Sequence, residues 1–333
     1  MGDSNKNIDE IQVAVIGGGN WGRALSYAFS QKNNVGIVSR RKLKFLNAIA
    51  THKVTQISLQ SALKCKYIVI AIKSEAMRTM LGKMKFLPES IVLIASKGIE
   101  VESGAFMSDI FDEVCASNNA RHENAKHEKV GYLMGPSFAS EVLEGMPCAL
   151  TIHTKAQIDE VAKIFPNFIK VYMNDDVIGG EVAGAYKNII AIAAGICDGL
   201  QLGNNAKASL VARGLVEMAR FGVFFGAKES TFLGLSGAGD LFLTTNSILS
   251  RNYRVGNALA KDLPLNNILD SLGEVAEGVF STRAVMNLAK KHNIYTPIAS
   301  QIYEILDGKN PRLSVKELLL REFEDSYTLD FLK

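Results

Sequence analysis

The stretch IQVAVIGGGNWGRAL, residues 11–25, decides the fold, because an apolar strand, a G-x-G-x-x-G turn and the start of a helix follow one another in it. Gly17 allows the tight turn, Gly19 lets backbone N–H groups approach a pyrophosphate, and Gly22 lets the helix pack closely on the strand. The positive end of the helix then faces the phosphates. The strand and helix favour a dinucleotide site over the alternative, a plain glycine-rich turn.

Short β-branched runs alternate with helical patterns as far as about residue 173. The strand candidates are 35–39, 67–72, 91–96, 130–134, 148–152 and 168–173. This alternation predicts a parallel sheet with crossover helices, and runs that are apolar at nearly every position predict strands covered on both faces. We therefore expect an α/β plus all-α chain, with a doubly wound Rossmann domain over residues 1–178 and an all-helical domain over residues 179–333.

Composition narrows the class of protein. The chain has 333 residues, a net charge of +3 and 47% hydrophobic residues, and no basic run interleaved with aromatics. These values predict a globular protein with two cores, no nucleic-acid partner and no membrane span. The four cysteines lie far apart and the N-terminus has no apolar export signal, so we expect free thiols, no metal and a cytoplasmic protein. The polar segment 117–129 predicts a solvated loop.

The second predicted strand ends in Val38-Ser39-Arg40-Arg41, without the acidic residue that binds the ribose 2′-hydroxyl in NAD-specific sites. Ser39 and the two arginines can receive a 2′-phosphate instead. We expect NADP, including NADPH, to be accepted, and NAD as well because nothing repels it. The alternative is a solvated basic turn.

Four later segments carry polar groups in unusual surroundings. They are Ser96-Lys97-Gly98, Gly135-Pro136-Ser137-Phe138-Ala139, Lys187-Asn188, and the stretch from Gly237-Ala238-Gly239-Asp240 through Thr244 to Ser250-Arg251-Asn252. Lys97 and Gly135 follow strand ends, where doubly wound sheets bind ligands. The alternatives are a snorkelling surface lysine at position 97 and helix caps at Asp240 and Ser250. Lys187 lies among Ala, Gly, Ile and Tyr in mid-helix, so we expect desolvation to lower its pKa.

These segments, with Glu277-Gly278, closely resemble the bacterial NAD(P)-dependent glycerol-3-phosphate dehydrogenase family over nearly the whole chain. The resemblance implies a C-terminal domain like that of 6-phosphogluconate dehydrogenase and makes Lys187 the proton donor and acceptor. It assigns to the substrate site Lys97, Gly135, Ser137, Lys187, Asn188, Asp240, Thr244, Ser250, Arg251 and Asn252. The resemblance also implies cofactor-binding residues. Together with those of the glycine turn and the basic turn, they are Gly17, Gly19, Asn20, Trp21, Gly22, Arg40, Arg41, Lys97, Ala139, Arg251, Val275 and Glu277.

The implied reaction is reversible hydride transfer between NAD(P)H and dihydroxyacetone phosphate, which gives sn-glycerol 3-phosphate for phospholipid synthesis. Lys187 would protonate the developing oxyanion, Asp240 would orient Lys187, and Arg251 with Asn252 at a helix start would bind the phosphate. The resemblance is compatible with a homodimer. The chain departs from the family pattern at Asn20, often Ser, and at Tyr253, often a basic residue.

Two other functions are compatible with parts of this pattern. One is a 3-hydroxyacid or 6-phosphogluconate-type dehydrogenase, which also joins a Rossmann domain to a helical domain with a catalytic lysine. The Gly-Pro-Ser-Phe-Ala and Ser-Arg-Asn segments favour glycerol phosphate instead. The other is a redox sensor that binds dinucleotide without turnover, for which we find no basic recognition helix.

Overall fold

The first part of the chain forms an eight-stranded sheet in the computed structural model, which describes residues 11–43, 54–118, 128–272 and 276–320. The strands are Val13–Ile16 (β1), Val35–Val38 (β2), Val54–Gln56 (β3), Tyr67–Ile70 (β4), Ile91–Ile94 (β5), Val130–Met134 (β6), Cys148–His153 (β7) and Ile169–Asn174 (β8). Their order across the sheet is β3-β2-β1-β4-β5-β6-β7-β8. The order reverses beside β1, where doubly wound sheets bind ligands at the carboxyl ends of the strands.

Strand direction differs from the expectation at one edge of the sheet. The pairs from β3 to β6 are parallel, but β7 runs antiparallel to β6, with Leu133 opposite Ile152, and β8 is parallel to β7. The prediction of a wholly parallel sheet was wrong for these last two strands. β3 was not among the predicted strands.

The sheet is covered on both faces, as the doubly wound prediction requires. Val13 and Val15 belong to one apolar cluster, whereas Ala14 and Ile16, which point to the opposite face, belong to another. The helices of this region are Asn20–Ser30 (α1), Leu59–Ala62 (α2), Met77–Leu81 (α3), Met107–Asn118 (α4) and Ala139–Leu143 (α5). α1 packs into the first cluster, and α3 and α4 pack into the second. Each β1 residue is therefore fully buried.

The chain divides into two compact units. The first comprises Met1–Lys97 and Ala105–Val177, and the second comprises Gly98–Gly104 and Ile178–Lys333. The grouping of Gly98–Gly104 with the second unit was not predicted from the sequence; there, Asn287 Nδ2 donates to Val101 O at 3.2 Å. The boundary predicted between residues 178 and 179 remains a prediction.

From residue 178 onward, the described part of the second unit consists of helices and short connecting segments. Its helices are Val177–Gly199 (α6), Asn204–Phe224 (α7), Glu229–Phe232 (α8), Asp240–Thr245 (α9), Arg251–Leu259 (α10), Leu265–Leu272 (α11), Glu277–His292 (α12), Pro297–Leu306 (α13) and Pro311–Leu320 (α14). α6 is the core helix, because Gly179 through Cys197 are buried along it. By length and composition α6 alone among the described helices could cross a membrane, but 89% of its apolar window is buried inside the protein, as in the core helix of a globular unit.

Candidate active site

The glycine turn after β1 has the geometry of a phosphate-binding loop. Gly17 has φ +133° and donates its N–H to Val38 O at 3.0 Å. A Cβ at Gly17 would overlap Ala71 O, and a Cβ at Gly22 would overlap Gly17 O. Both positions therefore require glycine, for the turn and for the close approach of α1 to the strand.

Gly19 differs from its neighbours because a Cβ there would meet nothing within 4 Å. It is the N-cap residue of α1, it makes no side-chain cap, and the first turn of α1 contains no acidic residue. Open space in front of a helix N-terminus fits a pyrophosphate, which backbone N–H groups and the helix dipole stabilise. Asn20 is the first residue of α1.

Trp21 adds a second sign of a ligand at this turn. Its indole packs against the apolar cluster that contains α1, yet its Nε1 is buried and finds no hydrogen-bond partner among the described residues. A buried N–H without an acceptor is costly, and a bound oxygen atom would satisfy it. The residues present therefore fit a dinucleotide.

The basic turn that follows β2 is on the surface. Arg40 and Arg41 are exposed, and Ser39 Oγ accepts a hydrogen bond from Arg41 N at 3.2 Å. Gly18 of the glycine turn lies against Ser39, since a Cβ at Gly18 would overlap the Ser39 hydroxyl. The two turns predicted to hold the dinucleotide are thus neighbours.

Three further predicted residues of the first unit lie together. Lys97 Nζ donates to Gly135 O at 3.4 Å, and Ser137 Oγ donates to the same oxygen at 3.2 Å. Gly135 has φ +120°, which favours glycine. Ser96 joins two strand ends instead, because its Oγ donates to Ile72 O at 2.6 Å. Ala139 is the first residue of α5.

Lys187 and Asp240 form a buried ion pair in the second unit. Lys187 Nζ lies 2.6 Å from Asp240 Oδ1, with side-chain exposures of 9% and 2%. Lys187 Nζ also donates to Thr244 Oγ1 at 3.4 Å, and that hydroxyl donates to Asp240 O at 2.6 Å. The apolar neighbours of Lys187 on α6 are present as expected, but the α9 carboxylate acts in the opposite sense and favours the ammonium.

A chain of amide hydrogen bonds runs beside this pair. The N–H of Gly278 donates to Asn252 Oδ1 at 2.9 Å, Asn252 Nδ2 donates to Asn188 Oδ1 at 2.9 Å, and Asn188 Nδ2 donates to Gly184 O at 3.2 Å. Each amide nitrogen has one further N–H, so both asparagines can brace the site and still donate to a ligand. Glu277 begins α12 beside this chain, and Val275 lies outside the described residues.

The start of α10 carries the remaining predicted residues. Ser250 is its N-cap and accepts a hydrogen bond from Tyr253 N at 3.3 Å, so the alternative of a helix cap holds for this serine. Arg251 is the first residue of the helix, and the first turn contains no acidic residue. Asp240 is not a side-chain cap, because Gly239 occupies the N-cap position of α9.

Glycines place these elements at close range. Leu235–Gly239 forms a π-helical turn before α9, and a Cβ at Gly237 would overlap the backbone oxygen of Phe232. α6 and α10 meet backbone to backbone, because a Cβ at Gly195 would overlap Tyr253 O and one at Gly256 would overlap Ile192 O. This contact sets the distance between Lys187-Asn188 and Arg251-Asn252.

One buried residue near Lys187 was missed by the sequence analysis. Glu217 accepts hydrogen bonds from Tyr186 Oη at 2.8 Å, Ile298 N at 2.8 Å and Ala299 N at 2.9 Å. Burial raises the pKa of Glu217, and these donors oppose that rise. Glu217 therefore ties α6, one residue before Lys187, to the N-terminus of α13. The only sign of this residue in the sequence is that a glutamate interrupts the apolar pattern of α7.

A doubly wound sheet with this phosphate turn, followed by a helical unit with a buried Lys–Asp pair, defines a nucleotide-dependent dehydrogenase. Residues 12–159 match the family model of the NAD-dependent glycerol-3-phosphate dehydrogenase N-terminus, and residues 176–317 match that of the C-terminus. The chain belongs to the NAD-dependent glycerol-3-phosphate dehydrogenase family, and the resemblance found in the sequence is confirmed.

Relatives and solved structures agree with this membership. A glycerol-3-phosphate dehydrogenase (NAD(P)+) of Helicobacter hepaticus is 54% identical over 322 residues, covering 92% of this chain and 99% of that protein. The corresponding protein of Bartonella bacilliformis is 50% identical over 93% of this chain and 99% of its own length. A crystal structure of glycerol-3-phosphate dehydrogenase from Coxiella burnetii matches with TM-score 0.82 and 31% identity, over 93% of this chain and 98% of that one.

Proposed function

We propose that this chain catalyses reversible hydride transfer between NAD(P)H and dihydroxyacetone phosphate, giving sn-glycerol 3-phosphate. Its family and the names of its relatives support the reaction. The single observation that carries it is the buried pair of Lys187 and Asp240, since a desolvated ammonium held by a carboxylate is suited to proton transfer.

The glycine turn would hold the dinucleotide. Gly17, Gly19 and Gly22 give its pyrophosphate room at the N-terminus of α1, with Asn20 and Trp21 beside it. Arg40 and Arg41, in place of an acidic residue, support acceptance of both NAD and NADP. When bound, the nicotinamide supplies or accepts the hydride, which is chemistry that no side chain offers.

Lys187 would act on the oxygen at C2 of the substrate. During reduction that oxygen gains negative charge, and Lys187 Nζ would stabilise it by a hydrogen bond and give it a proton. Asp240 orients the amine and stabilises its protonated form, and the Thr244 hydroxyl donates a hydrogen bond to Asp240. In the oxidative direction the same nitrogen would accept the proton.

The substrate phosphate would bind at the start of α10. Arg251 supplies a guanidinium beside helix N–H groups, and this combination suits a dianion. Asn188 and Asn252, each with an N–H beyond those used in their chain, would position the substrate from the same direction. Lys97, Gly135 and Ser137, and the cofactor residues Ala139 and Glu277, remain assignments from the resemblance.

The product indicates the metabolic role of the enzyme and the compartment in which it acts. Glycerol 3-phosphate is the backbone precursor of phospholipids, so we assign the chain to phospholipid synthesis in the cytoplasm. Cys65, Cys115, Cys148 and Cys197 are all free, which is compatible with a reducing compartment.

The test is an initial-rate assay with dihydroxyacetone phosphate and each reduced cofactor. Lys187→Ala is expected to lower kcat by at least ~10², the scale of a general acid, while the Kd for the cofactor stays near wild type. Lys187→Arg keeps a charge but gives up its proton poorly, so we expect a similar loss. Lys261→Ala removes an exposed lysine of the same unit and is the control. Near-normal turnover in Lys187→Ala would refute the assignment, and turnover with 3-oxo acids alone would refute the substrate.

A further inference from the structure

The basic turn after β2 is held by one side chain from the neighbouring strand. Gln56, the last residue of β3, donates from Nε2 to Ser39 O at 3.1 Å and to Arg41 O at 3.0 Å. Its Oε1 accepts from Leu43 N at 3.2 Å. The amide thus uses both N–H groups and its oxygen on the backbone of a single turn.

The same turn is supported from the side of the glycine loop. A Cβ at Gly18 would overlap the Ser39 hydroxyl and lie 3.2 Å from Leu43 Cδ2. The backbone of residues 39–43 therefore runs between Gly18 and Gln56. Leu43 is buried, whereas Arg40 and Arg41 are exposed, so the turn is fixed at its base and presents its cationic residues to solvent.

A fixed backbone matters for one part of the dinucleotide. A 2′-phosphate is bound by cations and N–H groups at set positions, and arginine side chains on a mobile turn would lose entropy on binding it. A 2′-hydroxyl carries no charge and depends little on those cations. Ordering of the turn before binding therefore favours the phosphorylated ribose.

We propose that Gln56 is a positioning residue for cofactor choice: by holding the Ser39–Leu43 turn, it enables Arg40 and Arg41 to bind a 2′-phosphate. It acts through the turn and does not touch the ligand. This inference rests on the proposed dinucleotide site.

The test measures binding with two fragments that differ only in the 2′-phosphate. Calorimetry with 2′,5′-ADP and 5′-AMP compares wild type with Gln56→Leu, which keeps the size of the side chain and removes its three hydrogen bonds. We expect about tenfold weaker binding of 2′,5′-ADP, as for the loss of one charge-assisted hydrogen bond, and less than about twofold change for 5′-AMP. In the assay with substrate, the KM for NADPH should rise while kcat and the KM for NADH hold.

Two further variants separate positioning from a structural role. Gln60→Leu removes an exposed glutamine from α2 and should change neither fragment's affinity. If Gln56 acts through Arg40 and Arg41, then adding Gln56→Leu to a variant with both Arg40→Ala and Arg41→Ala should weaken 2′,5′-ADP binding no further than those two substitutions alone.

Each other outcome overturns a specific statement. Equal weakening of both fragments by Gln56→Leu means a general structural role, and unchanged affinities mean no role, so either result overturns the inference about Gln56. Full additivity of Gln56→Leu with the Arg40→Ala, Arg41→Ala pair overturns it as well. Wild-type protein that binds neither fragment overturns the proposed dinucleotide site itself, a failure seen without any variant.

Discussion

Replacement of Asp240 by asparagine tests whether the Lys187–Asp240 pair is as isolated from water as its burial indicates. The two side chains are 9% and 2% exposed and 2.6 Å apart. Removal of one partner from a buried pair destabilises a protein by about 3–5 kcal/mol, because the other charge stays buried. The new amide oxygen and the Thr244 hydroxyl, 3.4 Å from Lys187 Nζ, still accept hydrogen bonds. We therefore expect the lower end, about 3 kcal/mol.

Urea unfolding measures this loss with two probes. Far-UV circular dichroism reports mainly the helical second unit, while Trp21, the only tryptophan in the chain, reports the first. Two probes are needed because two units can unfold in separate steps. We expect Asp240→Asn to shift the dichroism transition and leave the fluorescence transition in place.

Two comparisons set the scale of the result. Glu160→Gln breaks the pair of Glu160 with Lys66, whose side chains are both 44% exposed, and should leave stability unchanged. The double variant Lys187→Met, Asp240→Leu removes both charges and should be more stable than Asp240→Asn. A loss below about 1 kcal/mol for Asp240→Asn, as for exposed pairs, would refute the reasoning. So would a double variant no more stable than the single one.

Three other properties follow from individual side chains. Arg251→Ala should raise the KM for dihydroxyacetone phosphate about tenfold in the initial-rate assay, and an unchanged KM would exclude a phosphate contact. Burial lowers the pKa of His153. Below about pH 6.5, His153 therefore binds a proton in the unfolded chain but not in the folded chain. The urea midpoint should therefore fall as the pH is lowered through this range, and it should fall less steeply in His153→Gln than in wild type. Equal slopes in the two proteins would contradict this. Burial raises the pKa of Cys65 to about 11 and of Cys115 to about 12, so both thiols should react slowly. Mass spectrometry after treatment of the native protein with iodoacetamide should find both cysteines unalkylated. Rapid labelling of either cysteine would contradict this prediction.

Much of the sheet could be predicted from the sequence because its central strands are buried on both faces. Tyr67–Ile70 and Ile91–Ile94 are apolar at every position, which marks them without any partner information. β3 is a three-residue edge strand, Val54–Gln56, and so short a run carries little signal. The direction of β7 was missed for another reason, since the residues of a strand do not encode which way it runs beside its neighbour.

Candidate site residues can be named from the sequence where they lie in local motifs, but not where they depend on distant contacts. The spacing of the glycines is enough to predict the phosphate-binding turn. Lys187 stands out because it places a charge within an apolar helix. Gln56 and Glu217 were missed because their partners lie far away in the sequence or on backbone atoms, which no side-chain pattern reveals. Lys187 and Asp240 were linked by family resemblance, and the structure supplies their distance.

The backbone contact between α6 and α10 limits how this enzyme can move and change. Since Gly195 and Gly256 offer no side chain that could rotate aside, neither helix can slide along the other without a clash of main-chain atoms. Lys187 and Arg251 are carried by these two helices, so any motion that accompanies catalysis must carry both together as a rigid piece. If Lys187 acts at the reacting carbon and Arg251 at the phosphate, as proposed above, small shifts of these helices could not accommodate a substrate with a different distance between those two groups. A change in that distance would require both glycines, and the helices that they join, to be rebuilt together.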